Sequence, residues 1–579
     1  MTRFGVPLVL AVTLPLCWAE KDPASFKFGK VEREVLEETR CVEEAFREQG
    51  VLLEDRPLEE WLTRIGAALT GQQLPLENVT FRFAALRDPI PNVIALPNGS
   101  IYITTGMLAT LENEEQLAGL MAQGISEIAN RQTYTFLRAF RKKTMIQGLV
   151  LAPLPGSFLF TNSIMARLRG GPGVQAALVS GYGERLAQEA GLEALKRMHS
   201  AGYDPQALPQ ALYLLADGAD PGRSRFRYQS HTSLLEREQA LRECAAKLSV
   251  HGASGRSVDG YLAHAGSAIT VNIHTEIAGR NPRAALIQAR RLVSWDPQEP
   301  RYQLLLAYSL LAVEDHRQAE SIYRRIIDRE PSLVDAHRGL GLLLEKESRK
   351  DEAAAEYRHY LDHAPTSALE RRRIEHRLAM LATSANVEAA ALKRACVVPA
   401  DVQVKRSWVE DAEALSRQTT AWQEQLTKLV ESKLNQAGVE IVPFRSTAME
   451  LLEVRREYTQ LADKLEKRSK DVEKGQFTID DAVAVLPCAA AADTIVFLQG
   501  RSEAVGKTMR MGWDGAATLQ ISFADARSGG IFAQVLVYGD GTTSDTVSVL
   551  GQDLEKCINK VKKQRCLPKL PRTITRQRS

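Results

Sequence analysis

Histidine is missing from the first third of this chain. Of 10 histidines in 579 residues, none precedes His199. That excludes any imidazole-based metal or acid–base centre built wholly within residues 1–198. The 7 cysteines include no C-x-x-C pair, which excludes a zinc knuckle or a thioredoxin-type site. Acidic residues are absent after Glu555, while Lys560, Lys562, Lys563, Arg565, Lys569, Arg572, Arg576 and Arg578 follow. No aromatics interleave with these bases, so a nucleic-acid partner is not expected. With Pro568 and Pro571, residues 567–579 read as a solvated, disordered basic tail; peripheral contact with acidic lipid is the functional alternative. Long apolar runs are nearly absent too. Beyond the N-terminus, only Thr144–Ala166 is long and uncharged enough to suggest a membrane span. Pro153, Pro155 and Gly156 interrupt it. The stretch predicts two short buried helices joined by a turn, or a hairpin dipping into a membrane surface.

What is present is ordinary for globular protein: 44% hydrophobic and 25% charged residues. The length allows three or four domains at roughly 150 residues each. The N-terminus has a basic start at Arg3, an apolar run from Phe4 to Leu16 and a small residue, Ala19, before Glu20. That pattern predicts a secretory signal over residues 1–19, cleaved after Ala19. Lipidation at Cys17 is the alternative, disfavoured by the large Leu16 before it. An exported chain can oxidise its remaining cysteines, Cys41, Cys244, Cys396, Cys488, Cys557 and Cys566, with about fifteen full pairings open.

The middle of the chain repeats. Pro297, Pro331 and Pro365 are spaced by 34 residues. Ala307 and Gly341 recur in the first helices, Ala319 and Ala353 in the second, and Tyr323 and Tyr357 in step with them. This is the tetratricopeptide pattern: small residues let paired helices approach, and proline ends each unit. It predicts a helical solenoid over 266–385, with full repeats at about 300–367, a half-repeat before and a capping helix after. These six residues mark a groove that would hold an extended partner segment; a structural spacer is the alternative.

Residues 92–111 alternate as strands do, with a turn at Pro97–Gly99. Asn113 can cap a following helix, with Gln116 as its capping-box partner. Leu117, Leu120, Met121, Gly124, Ile125 and Ile128 form one apolar stripe. The whole stretch, ALPNGSIYITTGMLATLENEEQLAGLMAQGISEIANR, resembles the envelope zinc metallopeptidases of the BepA and HtpX type. Those carry an ALPGG-IYVTRGLL strand pair before a helix bearing H-E-x-x-H. A second match, LAQEAGLEALKRMHSAGYDPQAL, resembles the family helix whose Glu is the third zinc ligand; that Glu falls on Glu189. A weaker third match, HTSLLEREQAL, aligns His231 and Arg237 with the family's HP…R segment.

The resemblance implies an α+β, gluzincin-like domain over 20–265. Yet Gln123 and Glu127 stand where the two histidines belong, Gly124 where the catalytic Glu belongs, and Gly191 where an Asp follows the third ligand. Zinc catalysis of this type needs two imidazoles, a carboxylate, a bound water and a neighbouring base. One ligand and the i, i+4 spacing remain. The expectation is therefore no catalytic residue and no cofactor, with Gln123, Glu127 and the remnant Glu189 in a hydrogen-bonded cluster. A weak oxygen-rich cation site, or zinc held by replacement ligands, are the alternatives. The family also implies peptide binding by backbone pairing along the strand before the helix, here Val93, Ile94, Ala95 and Leu96.

Residues 386–410 read as a linker, and 411–566 as a small α/β domain. Its expected elements are a helix from AWQEQL onward, a short strand VEIVPF, a helix at about 446–474, strands DTIVFLQG, AATLQISFADA and IFAQVLVYG with a turn at Gly529–Gly530, and a helix at about 549–563. It loosely resembles the α/β domains of envelope lipoproteins of the LpoB and CsgG type. GRSEAVGKT (Gly500–Thr508) looks like a phosphate-binding loop, but five residues separate its glycines rather than four, so a polar hairpin is expected instead.

The fold class expected is thus multidomain and mainly α: a metallopeptidase-like domain, a repeat solenoid and a C-terminal α/β domain. The function expected is a non-catalytic scaffold or chaperone that binds envelope proteins in the periplasm, at or near the outer membrane. A BepA-like endopeptidase of envelope quality control with non-standard ligands, and a structural subunit of an envelope assembly complex, are the alternatives.

Overall fold

A computed structural model describes residues 29–48, 50–71, 79–135, 184–217, 231–248, 258–278, 281–364, 369–382, 392–406, 412–446, 486–507, 513–526 and 531–540, with residues 76, 451, 454, 455, 458 and 483. The expected signal segment, the Thr144–Ala166 stretch, the helices at 446–474 (in the main) and 549–563, the turn at Gly529–Gly530 and the basic tail lie outside these. The chain is multidomain and mainly helical.

The first unit is built on a four-stranded sheet. Its strands are β1 (Leu52–Leu53), β2 (Arg82–Leu86), β3 (Val93–Ala95) and β4 (Ser100–Thr104), in the order β1-β2-β4-β3. β4, with the sequence SIYIT, is buried throughout, because both sheet faces are covered. Phe83, Ile101 and Ile103 face α2 (Arg56–Thr70) and α4 (Glu114–Ala129). Ile94, Leu96 and Tyr102 face α1 (Lys30–Glu48) through Val35, Val42 and Phe46. The β3–β4 hairpin turns at Pro97–Gly99 as expected. Gly99 has φ +101°, and a Cβ there would lie 2.4 Å from the Thr80 carbonyl oxygen, so no other residue fits without strain.

Short α3 (Thr105–Thr110) follows β4. Helices α5 (Glu184–Ser200) and α6 (Ala207–Asp217) then pack on α4, and α7 (His231–Ala245) packs on α5 and α6. The same apolar cluster continues into α8 (Val258–Ala278) and α9 (Pro282–Trp295). Tyr261 of α8 donates to the Leu108 carbonyl at 2.6 Å, and Thr105 bonds Asn272 at 2.9 Å. The boundary expected at residue 265 therefore falls inside one continuous helix, which packs on α3 at one side and on α9 at the other.

The solenoid continues with α10 (Pro300–Ala312), α11 (His316–Arg329), α12 (Asp335–Lys346), α13 (Lys350–His363) and α14 (Leu369–Ala382). Half-repeat α9 thus pairs with α8. Ala307, Ala319, Tyr323, Ala353 and Tyr357 are fully buried between helices. A Cβ on Gly341 would lie 2.5 Å from Cε1 of Tyr357. The periodic residues are thus what lets the helices meet.

The C-terminal sheet contains β5 (Arg394–Val397), β6 (Asp401–Arg406), β7 (Glu440–Ile441), β8 (Thr494–Lys507), β9 (Trp513–Asp525) and β10 (Ile531–Asp540). The order is β10-β9-β8-β5-β7, and β6 also pairs with β8. This corrects the expected linker: residues 394–406 are two short strands paired in parallel with β8. One sheet face packs Ala395, Val397, Val496 and Leu498 against α15 (Ala412–Gln436). The other packs Cys396, Ile495 and Phe497 with Tyr458, and Cys396 is disulfide-bonded to Cys488. Residues 500–507 belong to a strand that pairs antiparallel with β9. They extend β8, with Arg501 opposite Thr518 on β9 and Gln403 on β6. Their backbone is committed to ladders and cannot wrap a phosphate.

Candidate functional site

α4 starts as its sequence predicts. The Asn113 side chain accepts from the Gln116 N–H at 2.9 Å, and the Gln116 side chain reaches back to the Glu112 N–H at 2.8 Å. The same first turn is held by Trp61 and by the AGYDP segment. Glu114 accepts from Trp61 Nε1 at 2.8 Å and Tyr203 Oη at 3.3 Å, and Glu115 from the Asp204 N–H at 2.8 Å. These bonds fix α4 against α2 and against the end of α5.

The helix then crosses β3. A Cβ on Gly124 would sit 3.4 Å from Cβ of Ala95 and 3.8 Å from Cγ1 of Val93, ordinary contact distances. Position 124 thus faces the edge strand. Packing would tolerate a Cβ there, but glycine supplies no acid or base.

One turn apart, Gln123 and Glu127 are both half-buried. Gln123 Nε2 donates to Glu127 Oε1 at 3.0 Å. Gln123 Oε1 accepts from Nη2 of Arg237 at 3.1 Å. Arg237 comes from α7 and is buried. Burial pushes the Glu127 carboxyl above the ordinary glutamate range; the Gln123 hydrogen bond and the Arg237 charge pull it back part of the way. Nearby, Arg197 of α5 donates to Ser126 Oγ at 3.1 Å and pairs with Glu193 at 3.4 Å.

Of the expected cluster of Gln123, Glu127 and Glu189, the first two are joined directly. Gln123 also bonds Arg237, and Glu189 lies on α5 as an exposed residue. Gly191 is buried, and a Cβ on it would lie 2.9 Å from Cδ1 of Leu241 on α7. An aspartate there would have to displace the buried Leu241 side chain. His231 is the first residue of α7.

These donors do not suit zinc. Both ends of the Gln123 amide are occupied, its partner on one side is a cation, and a neutral amide is a poor zinc ligand. Among the described residues, no group of three or more His, Cys, Asp or Glu side chains is placed to hold a metal ion.

Residues 57–245 match the model of peptidase family M48, and residues 304–368 that of the tetratricopeptide repeat. The chain carries an M48 domain joined to tetratricopeptide repeats. Similar proteins are the beta-barrel assembly-enhancing proteases of Yersinia pestis, 27% identical over 176 residues, and Escherichia coli K12, 26% over 178. A putative beta-barrel assembly-enhancing protease of Vibrio cholerae is 24% identical over 177 residues. Each match covers 30% of this chain and 35–36% of the relative. The chain thus spans about a third of the length of the curated relatives it matches. Positions 123, 124, 127 and 191 all fall inside the M48 match.

At β3 the outlook is simpler. Its only strand neighbour among the described residues is β4. Leu96 N–H bonds the Ser100 carbonyl, and the Asn92 carbonyl accepts from Thr104 N–H. By antiparallel alternation, the backbone groups of Val93 and Ala95 point away from β4.

The signature residues of the repeats lie inside the array, where the helices approach. Ala307, Ala319, Tyr323, Gly341, Ala353 and Tyr357 are all buried and offer a ligand nothing. Sequence reasoning missed a polar network on the first helices. Arg338 of α12 bonds Asp335 at 3.1 Å, Glu370 of α14 at 3.0 Å and Tyr308 Oη of α10 at 2.7 Å. Tyr308 and Arg338 are 30 residues apart, out of step with the repeat, so no periodic signal revealed them.

Proposed function

We propose that this chain is a non-catalytic M48-type scaffold that holds envelope proteins during their assembly, acting in the periplasm. Supporting this most directly is the Gln123 amide, held between Glu127 and Arg237 where the family places a ligand histidine. Gly124 beside it supplies no general base. Peptide binding needs neither group. A client strand would pair with the outward N–H and C=O groups of Val93 and Ala95, extending the β1-β2-β4-β3 sheet by one strand. The repeats would hold a further segment or a partner subunit, the role such arrays serve through their extended surfaces. No cofactor is required.

The relatives are named as proteases that enhance β-barrel assembly, which supports an envelope protein as client. The competing reading, a metal-dependent endopeptidase with unusual ligands, makes an opposite prediction. Zinc content of the purified mature protein, free of any His tag, decides between them when measured beside Glu189→Ala. The scaffold reading expects no stoichiometric zinc in either protein. About one zinc per chain, lost in Glu189→Ala, would overturn it.

A further inference from the structure

The strand that a client would extend, β3, is reached through residues 88–92, Asp-Pro-Ile-Pro-Asn. The two prolines fix their own φ angles and donate no hydrogen bond. The three remaining N–H groups are all bonded. Asp88 N–H bonds the Leu86 carbonyl, Ile90 N–H bonds Asp88 Oδ1 and Asn92 N–H bonds Thr104 Oγ1, each at 2.9 Å. Thr104 in turn donates to the Ile90 carbonyl at 2.8 Å, and Gly106 N–H to the Asp88 carbonyl at 2.8 Å. A Cβ on Gly106 would lie 2.2 Å from the Pro89 carbonyl oxygen, so the segment rests directly on the start of α3. Residues 88–92 are a stiff strut, and the β4–α3 junction is its base.

One further chain of bonds leads out of this base. The Thr105 hydroxyl sits 3.1 Å from the Asp88 carbonyl oxygen and 2.9 Å from Oδ1 of Asn272 on α8. Asn272 Nδ2 donates to Oε1 of Gln288 on α9 at 3.0 Å. Thr105 and Asn272 are fully buried, where a polar group without a partner is costly. Both α8 and α9 lie beyond the M48 match and before the repeat match.

We propose that Asn272 is a positioning residue for strand pairing: through Thr105 it fixes residues 88–92, so that the helices which begin the repeats set where the β3 edge stands. This inference rests on the strand-pairing reading above. An edge already held in place loses less freedom when a client binds, and therefore binds more tightly.

The test uses the full mature chain and a fluorescein-labelled peptide of about ten residues that alternates apolar and polar side chains, as a membrane β-strand does. Binding is read by fluorescence anisotropy. Asn272→Leu leaves a buried hydroxyl without its partner and should lower the thermal midpoint and the peptide affinity together. Thr105→Val with Asn272→Leu removes both buried polar groups and should recover most of the midpoint. Its peptide affinity should stay roughly three- to tenfold below wild type, and the amides of Ile90 and Asn92 should still exchange hydrogen faster. If affinity and exchange recover along with the midpoint, Asn272 only packs, and the inference is overturned. Should the double variant not fold, Gln288→Leu decides, because it unties Asn272 from α9 at a half-buried position. It should weaken binding by about two- to threefold, and wild-type affinity and exchange there overturn the inference equally. Ala95→Pro checks the reading underneath. Peptide bound as tightly by Ala95→Pro as by wild type would sink strand pairing itself, and this inference with it, whatever the Asn272 variants show.

Discussion

At the scale of single residues, what matters is which atoms a side chain displaces or compensates. Gly341 shows the steric case. The ring of Tyr357 is fully buried and occupies the place of the missing Cβ. Gly341→Ala should cost about 1–3 kcal/mol by overpacking, read as a lowered urea or thermal midpoint. His264 shows the electrostatic case. It stacks on Trp61 with ring centroids 5.1 Å apart. Burial and then the Arg64 charge lower its pKa, against a smaller opposing effect of Glu114. A base with a depressed folded pKa favours folding above its unfolded value, about 6.5, and that contribution is lost as pH falls through the folded pKa. The thermal midpoint should fall on acidification below about pH 6.5, and less so in His264→Asn; Trp61 fluorescence gives a local readout of the same titration.

At the scale of elements, β3 separates two roles of one short strand. Residue 94 bonds inward to β4, while residues 93 and 95 face outward. Proline removes one N–H. Ile94→Pro should break the ladder and destabilise the domain. Ala95→Pro should leave the fold largely intact and, on the strand-pairing proposal, weaken binding of an unfolded envelope protein used as probe, measured by co-sedimentation or fluorescence anisotropy. Equal loss of stability in both would remove the support for strand pairing. β5 shows why an element can hide. Ala395 and Val397 pack on one face and Cys396 and Val398 on the other, so the strand has no polar alternation. Pro399 follows and reads as a breaker.

At the scale of the whole molecule, α8 belongs to two units at once. Ala265, Ala268, Ile269 and Ile273 are buried in the cluster shared by the M48 domain and α9, and Arg291 of α9 donates to the Ala109 carbonyl at 3.1 Å. The repeats are therefore fused to the M48 domain by packing as well as by chain. Mature protein cut after residue 265 should be poorly folded, whereas a cut after residue 298, which keeps α8 and α9, should unfold cooperatively. Circular dichroism melts of the two fragments check this.

The sequence by itself determined whatever depends on inventory and local period. The absence of histidine before His199 rules out an H-E-x-x-H helix in any register. The Asn113–Gln116 cap, the β3–β4 turn and the 34-residue repeat were legible because each is a short-range pattern with a direct steric or hydrogen-bonding cause. Tertiary structure alone decided what those patterns meet. Gln123 pairs with an arginine 114 residues away, and the repeat residues are buried where neighbouring helices meet. Such pairings depend on how whole helices approach one another, and that approach follows from summed packing over α4, α5 and α7 rather than from any local spacing.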